Sequence, residues 1–163
     1  MTTLDDFLQQ HGIDSPCWTH PPVFTCEEAD RLAAEVPGLP TKNLFLCDGK
    51  GRQHLLLVVP SDYQVDLKAL SPLLGVSGLR LASAERLQRY LQLQPGSVSL
   101  LALWQDASRQ VRCVLDQAVW DASAVQAHPL VNTATRVLSQ RDVRHFLQAT
   151  GHTPDILDVP RRA

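Results

Sequence analysis

The run Pro40-Thr41-Lys42-Asn43-Leu44-Phe45-Leu46-Cys47-Asp48 decides the fold. A polar trio, Thr41, Lys42 and Asn43, opens an apolar stretch that breaks at Asp48-Gly49-Lys50-Gly51, and a second apolar stretch, Leu55 to Val59, follows. Two β-prone segments joined by residues that tolerate positive φ predict a β-hairpin. Burial of Leu44, Phe45 and Leu46 in a sheet holds Lys42 at a strand entrance, with its ammonium confined to a small volume. A lysine so placed is a candidate for gripping a phosphate or polarising a carbonyl. The plainer alternative is a solvated charge that ends a strand, the common fate of lysine.

Outward from the hairpin, the 163 residues suffice for one domain with a real core, and 44% hydrophobic with 20% charged residues is an ordinary globular balance. A formal charge of −2 argues against coating nucleic acid by bulk electrostatics, so any RNA contact is local. The four cysteines, Cys17, Cys26, Cys47 and Cys113, form no CxxC pair and no zinc-finger spacing, which leaves a metal site or disulfide framework without support. Free thiols suit a reducing compartment. Acidic residues follow Met1 where a signal peptide is basic, and no apolar run approaches a membrane span. The expected setting is cytoplasmic.

Leu4, Phe7 and Leu8 predict a short opening helix stopped at Gly12, and Cys17 to His20 a short strand ended by Pro21-Pro22. Thr25 with Glu28 matches a capping box ahead of a helix carrying Ala29, Leu32, Ala33 and Val36. Asp66 caps a leucine-rich helix that Pro72 bends or splits, and Ser83 caps Ala84 to Leu91. Pro95 to Ser99 is a turn before the apolar run Leu100 to Trp104, Gln105 to Gln110 reads as a hairpin turn, and Val111 to Leu115 as another strand. Ser139 caps a last helix with Val143, Phe146 and Leu147 inward and Gly151 as its stop. The tail through Asp158, Arg161 and Arg162 is expected to fray, and Arg80, Arg86 and Arg89 to be solvated. The mixture predicts an α+β class: one domain, residues 1 to 163, with a mixed, mostly antiparallel sheet and flanking helices.

Three segments carry a resemblance: His20-Pro21-Pro22-Val23-Phe24-Thr25, Pro40 to Leu46, and Ala127-His128-Pro129-Leu130-Val131-Asn132-Thr133-Ala134-Thr135. Together they resemble the YbaK-like editing domains that hydrolyse mischarged tRNA, and among them the free-standing alanyl-tRNA(Pro) deacylases related to the editing insertion of bacterial prolyl-tRNA synthetase. The resemblance implies Lys42 as the catalytic residue. It implies a substrate pocket from Thr41, Asn43, His20, Gly96, Ser97, His128, Asn132 and Thr133, the backbone amides of the Gly96 loop lining the site. Leu100 stands where the family usually has a proline. On residues alone His20 reads as structural or exposed, and the 128–135 segment as a turn and strand start.

The reaction implied is hydrolysis of the ester joining alanine to the terminal adenosine of tRNA(Pro), with no cofactor and no metal, and with prolyl-tRNA synthetase as a further partner. An aminoacyl ester is already activated, so orienting a water and stabilising the oxyanion suffices. That suits a sequence with no Gly-x-Ser-x-Gly elbow and no metal-ligand cluster. Two alternatives stand beside it: the same chemistry on cysteinyl- or seryl-tRNA, and a non-catalytic module that binds the aminoacylated end. A plain nucleic-acid binder, DNA included, and a membrane role are disfavoured.

Overall fold

A computed structural model describes residues 3–13, 15–20, 31, 35–95, 97–130 and 133–162. In chain order its elements are α1 (Leu4–Gln10), β1 (Cys17–Thr19), β2 (Thr41–Cys47), β3 (His54–Pro60), α2 (Leu67–Leu74), β4 (Arg80–Leu81), α3 (Ala84–Leu91), a 3₁₀ helix (Leu100–Gln105), β5 (Val111–Asp116), α4 (Gln117–Asp121), β6 (Ala124–Ala127), β7 (Ala134–Ser139), α5 (Gln140–Thr150) and β8 (Asp155–Leu157). The Pro21-Pro22 stop, the Thr25/Glu28 capping box and Ala29, Leu32 and Ala33 fall outside the described residues.

The hairpin forms as its sequence demands, β2 running antiparallel to β3 from Thr41↔Pro60 to Cys47↔His54. Asp48 closes it, because its Oδ1 accepts the backbone N–H groups of Arg52 at 2.7 Å and Gln53 at 3.1 Å. Those bonds, Gln53's first, hold the Asp48 carboxyl below its ordinary range against the opposing pull of burial. The hairpin is the centre of a five-stranded sheet in the order β4-β2-β3-β5-β8, where β5 and β8 add in parallel. A second sheet, β1-β7-β6, is wholly antiparallel. The class is α+β, with antiparallel and parallel pairings and flanking helices.

Each face of the five-stranded sheet is covered. Phe45, Leu56 and Val58 point into a core shared with the 3₁₀ helix, α1, α3, α5 and the second sheet. Leu46, Leu55, Leu57 and Val59 point into another built on Leu70 and Leu74 of α2. Burial on both faces explains why β3 is apolar throughout instead of alternating.

Helix boundaries follow their local signals. Asp66, Ser83 and Ser139 each accept a backbone N–H of the first turn, and Gly75 and Gly151 close α2 and α5 at φ 71° and 81°. Pro72 leaves α2 as one helix. Three expectations fail. Arg86 is not left to solvent, because its Nη1 donates to the Gly51 carbonyl at 3.1 Å. Leu100 to Trp104 is no strand: Ser99 Oγ accepts the Leu101 N–H at 3.2 Å, and the run winds into a buried 3₁₀ helix. A short, uninterrupted apolar run carries no period to tell strand from helix. The tail does not fray, because β8 pairs with β5, Val159 is buried, and Arg162 N–H donates to the Gln64 carbonyl at 2.8 Å.

Candidate active site

The two sheets meet just ahead of β2. Leu39 donates its N–H to the Ala124 carbonyl and accepts the Gln126 N–H, both at 2.9 Å, in a parallel bridge to β6. The Phe45 carbonyl accepts from Ala82 at 2.9 Å, next to β4, whereas the Pro40 carbonyl turns the other way to Ser61 beside β3. Backbone groups alternate sides along a strand, so Thr41 and Asn43, like Leu39 and Phe45, direct theirs away from β3. On that edge β6 occupies the position at Leu39 and β4 the position at Leu46 and Cys47; among the described residues no strand pairs with Asn43 there. The result is a notch in the pairing along the sheet edge, a gap between β6 and β4 at Thr41 to Asn43.

Thr41 fixes the near wall, its hydroxyl donating to the Gln126 carbonyl at 2.7 Å. The Gln126 side chain reaches onward, its Nε2 donating to the Val36 carbonyl at 2.8 Å. Asn43 shares the Phe45 face by pleat, and its Oδ1 is shut off from solvent without a hydrogen-bond partner. An unpartnered buried acceptor costs about 1–3 kcal/mol, which a ligand N–H would recover. Lys42 is partly buried at the register of Val59, on the opposite face from Thr41 and Asn43. The unpartnered Asn43 acceptor and the Lys42 stem therefore lie on opposite faces of β2.

β6 ends at Ala127, and His128 follows it directly. His128 Nδ1 lies 3.2 Å from the Ala134 carbonyl. The β1–β7 register continues past Thr19↔Ala134, so that His20 N–H donates to the Thr133 carbonyl at 2.8 Å and His20 Nε2 lies 3.1 Å from the Thr135 hydroxyl. His20, His128 and Thr133 are thus neighbours around one end of β7, although 108 positions separate the two histidines in the chain. Thr133 is exposed, and Leu130, at φ 70°, turns the chain between His128 and this strand. Ser97 is half-buried, its N–H donating to the Gln94 carbonyl at 3.2 Å. Gly96 and Asn132 lie outside the described residues.

Sequence reasoning missed Gln126, and took in Thr135 only as the end of the 127–135 segment. Both are buried polar residues inside apolar strands, a signal visible in the chain but without a partner until the sheets are assembled.

The chemistry available is narrow. Burial pushes the Cys113 thiol up to about 12, too high for a thiolate nucleophile, and Cys47 is likewise buried. Among the described residues no group of three or more His, Cys, Asp or Glu could hold a metal ion. No helix among the described residues is long and apolar enough to cross a membrane. The expected site residues among those described carry hydrogen-bonding groups, one ammonium and two imidazoles.

Known proteins share this chain's pattern. Residues 20–146 match the aminoacyl-tRNA editing domain. The prolyl-tRNA editing protein ProX of Acetoanaerobium sticklandii is 42% identical over 146 residues, which is 90% of this chain and 89% of that protein. The prolyl-tRNA synthetase associated domain-containing protein 1 of Danio rerio is 39% identical over 156 residues, 94% of this chain and 84% of that protein. A crystal structure described as a candidate trans-editing enzyme for prolyl-tRNA synthetase superposes with a TM-score of 0.71 at 19% identity, covering 98% of this chain and 95% of that one, a likeness of fold. The chain belongs to the aminoacyl-tRNA editing domain family, and is an enzyme of that class, an aminoacyl-tRNA deacylase.

Proposed function

We propose that the protein clears mischarged tRNA(Pro), hydrolysing the ester between alanine and the terminal adenosine, in the cytoplasm and in trans to prolyl-tRNA synthetase, with residues 1 to 163 acting as one editing domain. The observation that carries this reading is the unpartnered Oδ1 of Asn43 at the notch, an acceptor suited to the α-amino group of an aminoacyl ester. The similarity to the ProX protein supports the tRNA(Pro) assignment.

In this mechanism Lys42 grips the phosphate of the terminal nucleotide or polarises the ester carbonyl, while Asn43 and Thr41, on the other face, position the aminoacyl group. His128, Asn132, Thr133, Ser97 and His20 close the pocket, and the Gly96 loop is assigned the backbone amides for the developing oxyanion, the Ser97 N–H excepted because the Gln94 carbonyl takes it. A water oxygen attacks the ester carbonyl, the tetrahedral intermediate collapses, and the bond to the ribose oxygen breaks as that oxygen takes a proton. The substrate's own ribose hydroxyl activates the water. Electrostatic stabilisation and orientation carry the rate. Selectivity arises from a pocket too small for proline: a synthetase that accepts proline gains only about 1–3 kcal/mol per methylene against alanine, so a smaller second sieve is needed.

A panel of aminoacyl-tRNAs tests the reading through the amino acid released. Alanyl-tRNA(Pro) should be cleared and prolyl-tRNA(Pro) spared, and a folded Lys42→Ala protein should lose at least a hundredfold in kcat/KM. Preference for seryl- or cysteinyl-tRNA would replace the substrate, and normal turnover by Lys42→Ala would remove that residue from the mechanism.

A further inference from the structure

At the other end of β3 from Lys42, three loops surround a cleft of about 350 Å³ whose walls include Arg52, His54, Arg109, Arg112, Gly151 and His152. We propose that this cleft binds two backbone phosphates, one at Arg52 and one at Arg109, of the RNA whose acylated end enters the notch, a second anchor that rests on the deacylase reading above. His54 and Val59, the residue opposite Lys42, are five positions apart on β3, roughly 17 Å, within the rise of a few base pairs.

The charge in the cleft is uncompensated where it faces solvent. The nearby carboxylates are each already engaged: buried Asp48 with the N–H groups of Arg52 and Gln53, buried Asp106 with His152 at 2.8 Å, and Asp155, whose side chain is 44% exposed, with Arg112 at 2.6 Å. Arg112 also donates to the Leu74 carbonyl at 2.8 Å, so its charge is spent within the fold. Arg52 and Arg109 are exposed, and among the described residues neither pairs with a carboxylate. Two unpaired guanidinium groups on separate loops suit an extended polyanion better than a compact ion.

Arg109 carries a second signal. It sits at φ 54°, a left-handed conformation natural to glycine, in the turn where its N–H donates to the Asp106 carbonyl at 2.9 Å. Its stem then crosses Gly151, where an added Cβ would come within 3.1 Å of the Arg109 Cδ. A strained residue held on course by a glycine is a reason to look for a function of its side chain. The protein's overall charge of −2 makes such a local contact the way it can hold RNA.

The test is binding of deacylated tRNA to the full chain by fluorescence anisotropy across 50–300 mM potassium chloride, about a sixfold range, for wild type, Arg52→Gln, Arg109→Gly and the double variant. Each single change should weaken binding about three- to tenfold near 0.1 M salt, and the double variant should flatten the slope of log K against log salt by about 1.5 to 2. Arg109→Gly should melt no lower than wild type, since glycine accepts the left-handed turn, and weakened binding without a lower melt rules out misfolding as the cause. A double variant with wild-type affinity and slope overturns the proposal. So does inorganic phosphate that binds wild type but not the double variant while tRNA binding is unmoved, since the cleft then serves a free anion. Hydrolysis by wild type, measured separately, judges the deacylase reading: RNA binding through the arginines without hydrolysis would sink that reading alone, and hydrolysis with arginine-independent binding would sink this one alone.

Discussion

Arg86 Nη1 lies 3.0 Å from Nε2 of His54 and donates as well to the Gly51 carbonyl at 3.1 Å. A guanidinium has only protons to offer, so the His54 Nε2 must present its lone pair and the ring is neutral, protonated on Nδ1. The imidazole stacks on Tyr90, ring centroids 3.9 Å apart, with Phe45 beyond at 5.7 Å. Burial first, and the Arg86 charge second, hold its pKa below the ordinary 6.5, with Asp48 opposing.

A pH dependence follows with a definite sign. The unfolded chain binds a proton near 6.5 that the folded chain resists, so His54 contributes stability that is present above that pH and lost as pH falls from there through the lower folded value. Each unit by which the pKa is lowered corresponds to about 1.4 kcal/mol. Urea melts between pH 8 and pH 5, roughly spanning the ordinary histidine value, should show a steeper decline for wild type than for His54→Gln, which keeps an acceptor for Arg86. Parallel curves for the two proteins would assign the decline to other groups.

The buried Asp106–His152 pair should prove asymmetric. The side chains are 4% and 3% exposed, and Asp106 also accepts the N–H groups of Gln110 at 3.0 Å and Val111 at 2.8 Å. Removing the carboxylate strands two backbone donors and the imidazole, whereas removing the imidazole leaves each carboxylate oxygen with a backbone donor. Asp106→Ala is expected to cost about 3–5 kcal/mol and His152→Ala about 2 kcal/mol. The double variant should fall short of the sum by at least about 1 kcal/mol in equilibrium denaturation. Additive losses would mean the two side chains act independently.

How much of this could be read from the chain depends on how local each cause is. Ser83, Ser139 and Gly151 act on residues within one turn, and the hairpin turn at Asp48 is fixed by groups four and five residues on, so those elements are where their residues said. The Thr41-Lys42-Asn43 trio was legible as the opening of β2 for the same reason. The notch was not, because it is made by what pairs with β2 on either side of Asn43: β6, from more than eighty residues away, at Leu39, and β4 at Leu46. Likewise nothing near Asp155 announces its place on β5, and the terminus looked free until its distant partners were known.

The tail should therefore matter to stability. Val159 is 1% exposed and its N–H donates to the buried Asp116 Oδ1 at 2.9 Å, while the Pro160 carbonyl accepts from Asp66 at 2.9 Å, at the start of α2. Val159→Asp places a charge against apolar walls and is expected to cost more than about 3 kcal/mol. Val159→Ala should cost about 1–2 kcal/mol, since it removes two methyl groups but keeps the backbone bond. Melting temperatures matching wild type in both would mean that the segment frays after all.

Thr41 offers the sharpest separation of geometry from stability at the notch. Its hydroxyl bond to the Gln126 carbonyl at 2.7 Å sets where β6, and therefore His128, stands relative to Asn43. Thr41→Val keeps the branched shape and the strand preference, so the fold should lose only about 1 kcal/mol. Reacting groups tolerate little displacement, and a shift of the β6 wall by a fraction of an ångström should lower kcat/KM on mischarged tRNA about tenfold or more. Thr41→Ser restores the donor and should restore the rate despite its poorer strand preference. If Thr41→Val turns over like wild type, the hydroxyl merely ties two sheets together and the spacing of the notch is set by Leu39 and Gln126.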